Sequence, residues 1–488
     1  MLYLKKIFIG NKQLHQFWLH GLLLMAFGVV ALTLQEPLLI AVPFIIVLLP
    51  KIVQYIITQT HQLFWLLLLL LPLSTEINIT PSLGLDFPDE LIMMLLTGLF
   101  LVQLIHQPRS FPIHVLKHPI FLIIVLQLCW MLVCTYYSQN SVLSLKFFLA
   151  KIWYIVPFVV LPQYYIQQQS EFKKIALLLL LPMSLVVIQC LIRHALFNFS
   201  FEGIKQTLSP FFRNHVNYSA MLVCLMPIIW YMKKLTSNNH KYYKWLTIGL
   251  IVGLVALFFA YSRGAWVALI LGILTAFIIY KKWMLKVMMM ATIIIALLIG
   301  WLASNQHYVQ FAPNYEQTIF HSNLGEHLSS TTSLKDLSNA ERFYRWVAGA
   351  KMFAAKPITG FGPNTFYDYY KNYAVDVFKT YVSNNPEHSS VHNYFLLMAL
   401  EQGFIGLLLF CILLFSVLMY AQQLYHQLQH QLYKTVAIAI GVIIAMIATI
   451  NMMSDMIETD KIGGLFWLCV GVLIVLSKEL KIEQERIA

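Results

Sequence analysis

The run "WLTIGLIVGLVALFFAYSRGAWVALILGILTAFIIYKKW", Trp245 to Trp283, decides the fold class of this chain. Between Trp245 and Tyr280 it carries one charged side chain, Arg263. Roughly 18 apolar residues suffice to cross a hydrocarbon core of about 30 Å. This run is long enough to cross twice, with "YSRGAW" (Tyr261–Trp266) at its middle. A lone arginine there marks where the chain leaves the membrane and turns back, or is held in place for chemistry, or both. As a turn, the stretch makes Gly264 the residue that permits a tight reversal.

The rest of the chain has the same character. Of 488 residues, 59% are hydrophobic and only 11% charged, with a mean hydropathy of +0.71; soluble chains carry about 25% charged residues. The apolar runs are continuous rather than alternating, which disfavours a β-barrel. The expected fold is therefore all-α: a polytopic transmembrane bundle of about 12–14 spans with one large, partly helical outer loop. The formal charge of +12 would suggest nucleic acid in a soluble domain. Here the lysines and arginines cluster in short loops, as membrane topology requires, so the partner is the lipid bilayer and not nucleic acid. Cys129, Cys134, Cys190, Cys224, Cys411 and Cys469 all lie within apolar runs without metal-ligand spacing, and read as packing residues. "MLYLKKIFIGNKQLHQ" has basic residues but no cleavage pattern, so the first span is expected to act as an uncleaved signal.

Spans are expected near 14–34, 38–57, 62–79, 90–106, 118–137, 146–166, 173–196, 215–232, 245–261, 264–280, 284–303, 393–421, 433–453 and 462–477. The third is interrupted by Pro72. No internal repeat is visible, which argues against an inverted-repeat transporter. The loops "LKKIFIGNK", "PRSFPIHVLK", "EFKK", "MKKLTSNNHKYYK" and "KKWMLK" fall on one side, the cytoplasmic one. Both termini are then cytoplasmic and Arg263 lies at the outer face. The chain divides into a bundle over 1–303, a large outer loop over 304–391, and C-terminal helices with a short tail over 392–488.

Such a long polar loop is usually functional or disordered. Within it "SNAERFYRWVAGAKMFAAKP" reads as a helix near 339–355, with Ser338 as N-cap, Glu341 closing a capping box and Pro357 as the stop. Phe343, Trp346, Val347, Ala350 and Phe353 form an apolar stripe suited to the membrane surface or the bundle. The glycine-punctuated turn "TGFGPNTF" follows, and "NNPEHSSVHNYFLLMALEQGFIG" leads back into the membrane.

The chemistry-bearing residues are mostly cations on one side. Arg213, Arg263, Arg342 and Arg345 all fall at or near the outer face, with few carboxylates nearby in sequence. Arginine at a membrane boundary is costly and pairs with something. Its planar fork matches phosphate oxygens, and a diphosphate would satisfy several arginines together; the bland alternative for Arg263 is snorkelling. "DFPDE" (Asp86, Asp89, Glu90) is more simply a cap for the fourth span than an active group. His388 and His392 stand four apart but lack a third metal ligand; His392, at a helix mouth, suits a general base. There is no P-loop, G-x-S-x-G, H-E-x-x-H, CxxC or D-x-D, so neither a metal nor any other cofactor is expected.

Taken in order, these segments resemble the O-antigen ligase and Wzy-type O-antigen polymerase superfamily. The resemblance rests on Ser262–Arg263–Gly264–Ala265, Arg342 to Trp346, Pro357–Gly360–Gly362, His392–Asn393 and Glu401–Gly403–Gly406, and covers roughly residues 205–425. It implies a GT-C-type, metal-independent, inverting glycosyltransferase of the bacterial inner membrane. Such an enzyme takes an undecaprenyl-diphosphate-linked glycan and transfers it to an acceptor hydroxyl at the periplasmic face. It implies that Arg213 and Arg263 hold the diphosphate and that His392 takes or orients the acceptor's proton. Arg342 or Arg345 joins the clamp or places the acceptor, and Trp346, His388, Asn393 and Ser262 complete the substrate site. A ligase would take lipid A–core as acceptor, a polymerase a second lipid-linked glycan, and a third branch a protein. The reading leans to ligase. A glycan flippase or exporter, from another class, would carry polar residues along a central path rather than at one face.

Overall fold

The computed structural model describes residues 59–80, 83–311, 337–380, 383–385 and 388–487. The chain divides into two compact units, Met1–Leu63 and Phe64–Ala488, and the second holds nearly all the described residues. The spans expected near 14–34 and 38–57, with the proposed uncleaved signal, lie outside the described residues.

The architecture is a helical membrane bundle. After Thr60–Leu70 (α1) come Asp89–His106 (α2), Pro119–Tyr136 (α3), Ser141–Ile155 (α4), Gln169–Ala195 (α5) and His215–Leu235 (α6). Lys241–Phe259 (α7), Arg263–Tyr280 (α8) and Met284–Ala303 (α9) follow. Beyond the long loop, which contributes Leu337–Ala355 (α10), the chain forms Tyr394–Gln427 (α11), Gln431–Asn451 (α12) and Asp460–Ile487 (α13). Ten helices among the described residues are long and apolar enough to cross a membrane. They coincide with the apolar runs because in hydrocarbon only a helix satisfies every backbone N–H and C=O within its own segment.

The span expected at 62–79 does not form. Helix α1 is only 11 residues long, ends in a tight turn at Leu71–Leu73, and gives way to a hairpin of Thr75–Thr80 (β1) and Leu83–Phe87 (β2). Pro72 removes a helical donor, and "TEINIT" alternates polar and apolar residues with β-branched side chains, a strand pattern. The strands pair antiparallel, with Thr75 opposite Phe87, Glu76 opposite Asp86 and Ile77 opposite Leu85.

Burial separates the central helices from the lipid-facing ones. Helix α12 buries 72% of its apolar span, whereas α9 buries 0% of its own and is buried only at Met284, its first residue. Helix α8 crosses α12 at small residues: a Cβ on Gly272 would stand 2.2 Å from Met446 Cε, and one on Gly441 2.6 Å from Ile279 Cδ1. These two contacts run in opposite chain directions, so α8 and α12 are antiparallel. Such close approach is how helices associate where lipid supplies no hydrophobic drive.

Candidate functional site

Antiparallel packing sorts the charged residues to two ends. Arg263 begins α8, beside the end of α12, and the Tyr394 amide that begins α11 donates to Ser454 O just beyond α12 (3.0 Å). Helix α6 runs against α7, with Gly253 near Met226 and Gly249 near Ile229, so the start of α6 lies beside the end of α7. Phe201 bridges that pair, its ring 5.6 Å from His215 and 5.5 Å from Tyr261. Arg213, Arg263 and His392 therefore occupy one end of the bundle. Lys233, Lys234, Lys241, Lys281, Lys282 and Lys286 mark the other, where His426 meets Ile279 O at 2.9 Å.

The turn at "YSRGAW" is built differently from the expectation. Gly264 lies within the first turn of α8 and a Cβ there would meet nothing within 4 Å. The reversal falls instead on Tyr261, in the left-handed region at φ 53°, held by its hydroxyl donating to Phe199 O at 2.6 Å. A hydrogen bond anchored 62 residues away makes the strained tyrosine tolerable. Ser262 is buried at the N-cap of α8 without a side-chain cap bond.

His392 sits on a short segment gripped from both sides. Arg345 donates to Ser390 O (3.3 Å) and Trp346 Nε1 to Val391 O (3.0 Å), both from α10. Asn393 caps α11 by accepting from Leu396 N at 3.0 Å. The His392 backbone is left-handed at φ 53°. Its Nδ1 stands 3.9 Å from Asp455 Oδ1, and the Ser390 hydroxyl donates to the other Asp455 oxygen. Burial, then the charges of Arg345 and Arg342, push the His392 imidazole down to about 3, so it is neutral at pH 7. Burial pushes the Asp455 carboxyl up, while Ser390 and Arg345 pull it down. His388, also at φ 53°, is exposed and its ring stacks on Tyr367 at 3.9 Å.

Helix α10 buries a different face from the expected stripe. Ala340, Tyr344, Val347, Ala348 and Met352 are buried together with Glu341 and Arg345, whereas Ala350 is exposed and Phe343, Trp346 and Phe353 are half-buried. Glu341 is not part of a capping box with Ser338, since α10 already begins at Leu337. Its carboxylate accepts from the Thr380 hydroxyl and from Ser383 Oγ (2.7 Å), and pairs with Arg345 at 3.5 Å. Satisfying that buried pair costs the helix its simple amphipathic rotation, because buried charges must be paired and hydrogen-bonded. Three of the four arginines differ accordingly. Arg345 is committed to Glu341 and Ser390, Arg342 reaches Asn339 Oδ1 (3.4 Å), and Arg213 keeps 66% of its side chain exposed.

The two glycine motifs interlock. Helix α11 breaks at Gly403 (φ 68°, ψ −172°), and the turn after α10 docks on the break. Phe361 N donates to Leu400 O (2.9 Å), Gly362 N to Glu401 O (3.0 Å) and Phe404 N to Pro357 O (2.7 Å). The buried Glu401 carboxylate accepts from Asn364 N (2.8 Å) and Phe366 N (3.2 Å). A Cβ at Gly403 would fall 1.8 Å from Ile358 O, so no other residue fits. These motifs fix the first turns of α11, and hence His392, against the loop helix.

Four residues near the site were not picked out from the sequence: Asp455, Glu458, Asp460 and Lys461, in the connection from α12 to α13. A signal was present, since "SDMIETDK" places three carboxylates between two spans on the Arg263 side. Asp455 faces His392, while Glu458, which pairs with the buried Lys151, faces a cleft of about 440 Å³ on the other flank. Arg213 lines that cleft, 4.0 Å from Glu76 on the hairpin. Folding thus supplies the carboxylates that the local sequence around the arginines lacks. Asp89 and Glu90 do begin α2, but the N-cap is Pro88, and Glu90 accepts from Asp86 N at 3.1 Å.

Fold and site define a polytopic helical membrane protein with arginines, a histidine and carboxylates gathered at one end. Residues 248–411, from within α7 to within α11, match the family model described as O-antigen ligase. Over these residues, less than half of its length, the chain is similar to the O-antigen ligase family, which supports the ligase and Wzy-type superfamily and a glycosyltransferase-like activity in general. That span contains Arg263, Arg342, Arg345, His392, Glu401 and Gly403, and leaves Arg213 and Asp455 outside. No curated protein matches the chain.

Proposed function

We propose that this protein is a metal-independent, inverting glycosyltransferase of GT-C type in the bacterial inner membrane. It moves an undecaprenyl-diphosphate-linked glycan to a hydroxyl of lipid A–core at the periplasmic face, as an O-antigen ligase. The observation that carries the reading is the placement of Arg213, Arg263 and His392 at the same end of the bundle, within and beside the matched domain. The Arg263 end is then periplasmic, and the apolar helices cradle the polyprenyl tail.

The donor brings its own leaving group, so the protein must bind, orient and neutralise charge. Arg213 and Arg263 hold the diphosphate and stabilise the charge that grows as its bond to the anomeric carbon breaks. The acceptor oxygen attacks that carbon from the opposite face and gives its proton to His392. The imidazole is uncharged at pH 7 and available to accept it. An arriving diphosphate offsets the positive field of Arg342 and Arg345 and raises the imidazole's proton affinity when it is needed. Asp455 orients the ring and stabilises its protonated form. Arg345 and Asn393 position the His392 segment, Arg342, Trp346 and Ser262 line the substrate path, and His388 on Tyr367 offers a stacking face for sugar.

The test is reconstitution of the full chain with an undecaprenyl-diphosphate glycan and three acceptors offered separately: lipid A–core, a second lipid-linked glycan, and a protein. Transfer to lipid A–core supports the ligase reading, and transfer only to the second glycan makes the protein a polymerase. Arg263→Ala and His392→Ala should abolish transfer with insertion intact, and transfer should survive EDTA. Wild-type rates in either variant would remove the mechanism.

A further inference from the structure

Asp455 faces His392 from a connection that is anchored 307 residues away in sequence. Glu458 N donates to Asp455 O (3.0 Å), closing the 3₁₀ turn Met456–Glu458, so the two acidic residues are the ends of one tight turn. Inside it Ile457 N donates to Asn451 Oδ1 (3.1 Å), and the buried Asn451, the last residue of α12, donates to Ile447 O (2.8 Å). The long-range anchor is Glu458. Its carboxylate pairs with Lys151 of α4, the two side chains 18% and 7% exposed. The hydroxyl of the buried Tyr394, two residues past His392, lies beside the same carboxylate. One glutamate thus joins α4, the start of α11 and the turn that carries Asp455. A lysine within a membrane-spanning helix is costly and marks a functional role. A buried ion pair is weak evidence for stability, because desolvation offsets the attraction; what it supplies is fixed geometry.

We propose that Lys151 and Glu458 are positioning residues for the transfer step: their ion pair holds the Asp455 turn against α4, so that the Asp455 carboxylate faces the His392 imidazole when the acceptor's proton arrives. The gap between Asp455 Oδ1 and His392 Nδ1 is already 3.9 Å, and a loosened turn widens it. The pair acts through Asp455 and not on the substrate. This assignment rests on the reading of His392 as the group that takes the acceptor's proton.

The experiment is a double-mutant cycle on the reconstituted full chain. Lys151→Met with Glu458→Gln removes both charges together and leaves no unpaired buried ion, so the fold should survive. Its kcat for transfer should fall about 3- to 30-fold, no further than in Asp455→Asn, with KM for the donor within about twofold. In an Asp455→Asn background the same pair of changes should cost less than about twofold, because an effect carried through Asp455 has nothing left to act on. Should the paired variant fail to fold, Lys151→Arg, which keeps the charge and changes its reach, is read in the same cycle. A wild-type kcat in a folded variant, a loss confined to KM, or an equal loss in both backgrounds overturns the positioning role, the last being the mark of general structural support. A wild type that transfers no glycan to any acceptor overturns instead the functional reading beneath it.

Discussion

Asp455→Asn isolates the part of the site that sequence did not reveal. The carboxylate lies 3.9 Å from His392 Nδ1 and is held there by the Ser390 hydroxyl. When His392 takes the acceptor's proton, the imidazolium gains the attraction of a unit negative charge. At about 4 Å and an effective dielectric near 20 that attraction is about 4 kcal/mol. The two side chains are 34% and 30% exposed, so solvent screening reduces it to about 1–2 kcal/mol. Asparagine keeps the shape and loses the charge. Since the charge acts mainly after proton transfer, the loss should appear in kcat, about 5- to 30-fold, with KM for the donor little changed. The assay is single-acceptor transfer by the reconstituted protein over a range of donor concentrations. A wild-type kcat, or a loss confined to KM, would refute the role of Asp455 as the partner of the imidazolium.

The pH profile follows from the depressed proton affinity of His392. Its folded value lies below the ordinary 6.5, so the neutral, active form persists as pH falls well below neutrality. The acid limb of kcat/KM, which reports the free protein, should lie below pH 6.5. The acid limb of kcat should lie higher, because bound diphosphate offsets Arg342 and Arg345. A kcat/KM limb at or above 6.5 would contradict this. Gly403→Ala forces a left-handed alanine, costing about 1–2 kcal/mol, and drives a Cβ to 1.8 Å from Ile358 O. It should lower the thermal midpoint in detergent and transfer together. Glu401→Leu strips the Asn364 and Phe366 amides of their acceptor. At about 1–3 kcal/mol for each buried unpaired donor, it should destabilise the protein more than Glu401→Gln, as thermal melting would show.

The sequence by itself determined the bundle. Uninterrupted apolar runs leave a chain in hydrocarbon no option but helix, so among the described residues ten spans stood where the runs were, and the lysines flanking α6 to α9 sorted to one end by the same local rule. The ordered "SRGA", "RFYRW", "GFG" and "HN" segments were legible too, because each is local in the chain, and all fall within the matched residues 248–411. Where local signals competed, reading failed. Pro72 and the alternation of "TEINIT" overrode hydropathy at 62–79, and Tyr261 rather than Gly264 took the left-handed turn because Phe199 O, distant in sequence, holds it there. Tertiary structure alone decided which arginines were committed and which carboxylates they met. Arg345 found Ser390, Arg213 found Glu76, and His392 found Asp455, the last two across 137 and 63 residues of chain, whereas the Arg345–Glu341 pair is local to one helix. Such pairings depend on which helix ends the packing of α8, α11 and α12 brings together. Charge and hydropathy along a chain do not encode that meeting; the interdigitation of small and large side chains between helices does.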